Sequence, residues 1–142
     1  MNSEISYGAA VQIGAATPAT TYSDGTEHTL VTITDLKYHK KSQMTTYFDI
    51  SLVSGSTKVS VRYYMSPDNG TTWFQVPLKI TSTGILSNIP TVLDLTSPTQ
   101  TTKIRTIEDI SLSGTTAVKI TGQADNAAGF TVNTLNVFGR DN

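Results

Sequence analysis

The residues able to do acid–base or metal chemistry in this chain are few and scattered. Its two histidines, His28 and His39, stand in polar segments outside any H-x-H or H-E-x-x-H spacing that would set two imidazoles on one ion. There is no cysteine, which excludes thiolate nucleophiles, thiolate metal sites and a disulfide framework. Glycoside hydrolysis needs two carboxyl groups facing each other roughly 5–9.5 Å apart. The adjacent pair Glu108-Asp109 falls on extended chain, where neighbours point to opposite faces. Asp49 and Asp94 fall on separate strands, where such residues more often line a wet face. Asp68-Asn69-Gly70 and Asp125-Asn126 offer oxygen ligands of the kind Ca²⁺ takes, but without the dense acidic spacing of a dedicated loop. Asx turns account for both. The sequence therefore predicts a non-enzyme with no cofactor and no metal site.

Aromatic side chains are the other functional resource. Strand alternation places Tyr47, Tyr64 and Trp73 opposite a core face made by Phe48, Val61 and Phe74. A row of exposed rings on a β-sandwich is suited to stacking on pyranose rings, so the trio is a candidate glycan platform. The competing reading has the same rings covered by a neighbouring subunit or by the N-terminal segment.

The elements that must carry these residues are strands. At 142 residues and 15.2 kDa, the chain has the length of one domain with a sizeable core. Charged residues are 15% of it, against about 25% in average soluble domains. Serine and threonine fill the difference and favour strands and polar turns. A net charge of −1 gives no electrostatic footprint for nucleic acid or an anionic membrane. No basic-then-apolar leader opens the sequence, and no run approaches the roughly 20 apolar residues that span a bilayer. These features predict synthesis and retention in the cytoplasm, or release by lysis.

From Leu30 onward apolar residues alternate with polar ones, and turn residues break the pattern every 8–12 positions or so. Strands are expected over 30–36, 45–53, 59–66, 74–80, 89–95, 118–122 and 130–138, with 103–107 and 109–112 either two short strands or one strand joined irregularly at Glu108. The second and third of these read as a hairpin about Ser54-Gly55-Ser56. Phe130 and Val132 fall out of phase with Leu135 and Val137, which implies a bulge near Asn133-Thr134 or a strand buried on both sides. The fold class is all-β: an antiparallel β-sandwich of jelly-roll type with about eight strands, or alternatively an immunoglobulin-like sandwich. Residues 1–29, rich in small side chains, read as an extended arm on a domain formed by 30–142. In that arm Val11 and Ile13 would pair with a sheet edge of another subunit.

One turn carries a specific pattern. Ser66-x-Asp68-x-Gly70-x-x-Trp73 matches S-x-D-x-G-x-x-W, so over these eight positions the chain resembles Asp-box proteins. The resemblance implies a structural staple away from any active site. Asp68 would accept backbone N–H groups, Gly70 would supply a positive φ, and Trp73 would lie over the turn. A sialidase activity does not carry over, because an arginine cluster and a far longer chain are missing.

The strand-turn-strand run from Tyr63 to Trp73, the segment Val118–Asn126 and the closing Leu135–Arg140 are together similar to small virion structural proteins of tailed bacteriophages, of the capsid decoration or head-fibre type. That resemblance covers residues 30–142. It implies a decoration or capsid-surface protein in the virion, made in the host cytoplasm. Its partners would be its own copies, in a closed ring such as a trimer, and other capsid proteins. The alternative function is a carbohydrate-binding module, including one on a phage receptor-binding structure.

Overall fold

The computed structural model describes residues 10–53, 56, 58–76, 79–80, 86–87, 91–94, 103–105 and 110–141. Alternation resolves there into strands β1 (Val11–Ala15), β2 (Thr20–Tyr22), β3 (His28–Ile33), β4 (Gln43–Leu52), β5 (Lys58–Ser66), β6 (Phe74–Gln75) and β7 (Lys79–Ile80). They are followed by β8 (Leu86–Ser87), β9 (Thr91–Asp94), β10 (Lys103–Arg105), β11 (Ile110–Ser111), β12 (Ala117–Ala124) and β13 (Phe130–Arg140). A 3₁₀ turn, Leu36–Tyr38, joins β3 to β4.

Two antiparallel sheets pack face to face. In the first, β13 lies between β4 and the pair β1 and β2, and β10 and β11 extend the far edge of β4. In the second, β12 lies between β3 and β5, and β6 and β9 add to the far edge of β5. Among the described residues the strands β7 and β8 pair only with each other. Set aside the two-residue strands β6, β7 and β8, and number β1/β2, β3, β4, β5, β9, β10/β11, β12 and β13 as eight ribbons in chain order. The first sheet then reads 1-8-3-6 and the second 2-7-4-5. This is the double Greek key of a jelly roll, not the immunoglobulin order.

The expected hairpin of β4 with β5 does not form. The two strands belong to different sheets, and their neighbours β13 and β12 come from the far end of the chain. The proposed division at residue 29 also gives way for the described residues. β1 and β2 are strands of the first sheet, paired with β13 of the same chain. Ile13 sits on a bulge that turns it into the core, while Val11 stays exposed. Small residues in this segment serve packing within the domain: a Cβ on Gly14 would lie 2.6 Å from the Ile33 side chain.

The bulge in β13 falls between Val132 and Thr134. One extra residue restores the phase, so Phe130, Val132, Leu135 and Val137 all enter the core. Asn133 turns outward, where its amide donates to Asp49 Oδ1 (3.2 Å) and Ser51 Oγ (2.8 Å). Facing these residues are Val59, Val61 and Tyr63 of β5 and Val118 and Ile120 of β12, with Met44, Phe48 and Ile50 of β4 beside them. Each such side chain, once buried, contributes roughly 1.5–3 kcal/mol. Burial also holds the Tyr63 phenol well above the usual tyrosine range.

Candidate functional site

The turn between β5 and β6 is built by side chains on backbone. Ser66 is buried, and its hydroxyl donates to Asp68 Oδ1 (2.7 Å) while accepting the N–H groups of Gly70 (2.8 Å) and Asp68 (3.3 Å). Asp68 Oδ1 also accepts the Thr72 N–H (2.8 Å). The Ser66 hydroxyl and then the Thr72 N–H hold the Asp68 carboxyl below the usual range. Asn69 and Gly70 take positive φ, 57° and 99°, conformations these two residue types accept most readily. Trp73 folds back so that its ring edge lies beside Gly70.

Asn69 ties the turn to the rest of the molecule. Its side chain accepts the Asp35 N–H (2.8 Å) and donates to the Asp35 carboxylate (3.0 Å). Its own N–H reaches the Thr116 hydroxyl (2.7 Å), which in turn donates to the Ser66 carbonyl (3.0 Å). The β3 corner, the β5–β6 turn and the entry to β12 are thereby locked together. That lock fixes where Trp73 stands.

Trp73 stands over the outer face of the second sheet. Lys119 of β12 is the ladder partner of Tyr64 on β5. Its ammonium lies 5.0 Å from the Tyr64 ring centre and 4.8 Å from that of Trp73. Glu27, just before β3, reaches across β12. Its Oε2 accepts the hydroxyls of Tyr64 (2.6 Å) and Thr121 (2.5 Å). Partial burial raises the Glu27 pKa, but those two hydroxyls and the nearby Arg62 and Lys119 outweigh it, and the net shift is downward. Arg62, the ladder partner of Thr121, donates to Gln123 Oε1 (2.9 Å), and Gln123 donates to the Gly25 carbonyl (2.9 Å). Strand alternation over 59–66 puts Arg62 and Tyr64 on one face, but it does not reach Glu27 or Lys119. The outward phase of Lys119 between Val118 and Ile120 was the available signal.

The three predicted platform rings do not share a surface. Tyr47 lies on the outer face of the first sheet, packed edge-on against Phe138 with ring centres 5.5 Å apart. Only Tyr64 and Trp73 come together, and Lys119 occupies the space between their faces.

The other candidates are placed as follows. His28 contacts Asp24 Oδ1 through Nε2 (2.6 Å), and Thr26 Oγ1 approaches the same nitrogen (3.2 Å). A nucleophile–base relay needs the carboxylate and the hydroxyl on opposite ring nitrogens; here both sit on one, so the cluster is a loop staple. The Thr26 hydroxyl, its backbone N–H and then His28 lower the Asp24 pKa to about 2. Asp49 and Asp94 lie on strands of different sheets, and Glu108-Asp109 lies outside the described residues. Asn126 Oδ1 accepts Ser56 Oγ and the Ala128 N–H, as an Asx turn does. Among the described residues no group of three or more His, Asp or Glu could hold a metal.

No protein-family model and no curated protein matches this chain.

Proposed function

We propose that this protein is a virion structural component, a decoration or capsid-surface subunit that works through contacts between its own copies and with a capsid shell. The supporting observation is the apolar surface left outside the fold: Tyr38 is 74% exposed, Phe74 60%, Val11 46% and Tyr47 44%. Scattered exposed apolar residues are ordinary. Tyr47 is different, because it is half of an edge-to-face pair with Phe138 on the outer face of the sheet. A ring already held by its neighbour loses little further freedom when another surface covers it. That makes the first sheet's outer face the favoured contact surface, within a closed homo-oligomer such as a trimer.

The test is Tyr47→Lys, compared with the natural chain by sedimentation velocity. The expected result is a folded protein with an unchanged melting temperature that sediments as a smaller species. Unchanged sedimentation would remove the first sheet's outer face from the interface.

A further inference from the structure

The outer face of the second sheet holds two cations, Lys119 and Arg62, and one nearby carboxylate, Glu27, whose charge offsets them only in part. Among the described residues neither Lys119 nor Arg62 is within ion-pair distance of a carboxylate. Among the described residues the Lys119 ammonium meets the π faces of Tyr64 and Trp73, which attract a cation but accept no ordinary hydrogen bond from it. Arg62 uses one guanidinium nitrogen on Gln123, and among the described residues the further donors of its planar fork meet no acceptor. Beside them Glu27 has committed Oε2 to two hydroxyls, and among the described residues no hydrogen bond falls on Oε1. The face thus combines unspent donors, one unspent acceptor and the indole of Trp73. Each part is held by the ladder register or by the locked turn.

We propose that this face binds a carboxylated sugar, a uronic or sialic acid residue at the surface of a larger glycan. Its carboxylate meets Lys119 and Arg62, its hydroxyls donate to Glu27, and its ring lies against Trp73. Charge complementarity selects the occupant: the two cations exceed the one carboxylate, so an anionic group satisfies what the fold leaves open. The indole selects a ring with an apolar face over a bare inorganic anion. This site is on the opposite sheet from the Tyr47 surface, so it stands or falls separately from the assembly reading.

The experiment titrates the ¹⁵N-labelled full chain with sialyllactose and with tetragalacturonate, each beside its carboxyl-reduced counterpart, following the Trp73 indole N–H. Expected is a saturable shift with at least one acidic glycan, absent with its reduced partner. Lys119→Met should weaken it about tenfold or more, with the rest of the spectrum unmoved. Trp73→Phe, followed through the Lys119 and Tyr64 amides, should weaken it less. No shift with either acidic glycan, an equal shift with the reduced forms, or binding that survives Lys119→Met would overturn the proposal. An identical response to inorganic sulfate would mean an adventitious ion only.

Discussion

Replacing Ser66 with alanine removes one buried oxygen that makes three hydrogen bonds, and the consequence can be worked out. The bond to the Asp68 carboxylate is charge-assisted and worth about 1.5–3 kcal/mol net; the bond from Gly70 N–H is worth about 0.5–1.5. The third, from Asp68 N–H at 3.3 Å, is too long to add much. Asp68 itself is exposed, so water replaces the lost donor on its carboxylate and pulls the total toward the lower end, about 2 kcal/mol. For a chain of 142 residues, that corresponds to a fall in melting temperature of about 6 °C. The assay is urea unfolding followed by the fluorescence of the single tryptophan, Trp73. The transition midpoint should move while the slope stays constant. Thr71→Ala, an exposed substitution in the same turn, serves as control and should stay within about 0.5 kcal/mol. If Ser66→Ala unfolds with the control, the turn is held by something other than this hydroxyl.

Three further outcomes follow from the geometry. Ile13→Ala should destabilise by about 2–4 kcal/mol in chemical denaturation, as core truncations do; a loss under about 0.5 would return β1 to the status of a dispensable arm. Gly129→Ala should cost about 3 kcal/mol or more, because at φ 89° its Cβ would meet the Tyr22 carbonyl at 1.7 Å. Gly114→Ala, at φ 71° with open space around it, should cost only about 1–2 kcal/mol, and equal losses at the two sites would contradict the packing argument. Asp24 has a folded-state pKa near 2 against an ordinary 3.8, so it stabilises the fold above about pH 4 and that contribution is lost as pH falls toward 2. Asp24→Asn should therefore flatten the acid limb of a melting-temperature profile, whereas a superimposable profile would rule out the Asp24 staple as a contributor.

Much of the architecture was legible because strand alternation has a period of two and survives in the sequence. Val59, Val61 and Tyr63, the phase slip after Val132 and the Ser66–Trp73 turn were all readable in that way. Pairing was not, because adjacency along the chain says nothing about which sheet a strand joins. β4 and β5 look like a hairpin locally, yet strands more than fifty residues downstream take their edges. The N-terminal segment was misread for a related reason. Its alanines, glycines and threonines carry little hydrophobic signal, and Ile13 enters the core only through a bulge that no periodicity announces. The outer-face cluster was half visible. Arg62 and Tyr64 share a strand, but Glu27 joins them by reaching over β12, a contact of 37 positions in sequence.

The measurement that most directly tests the account is the solution mass of the intact chain by light scattering, from micromolar to millimolar concentration. A protein that works through subunit contacts is predicted to give a discrete multiple of 15.2 kDa, stable to dilution. A monomer across the whole range would contradict assembly as its function.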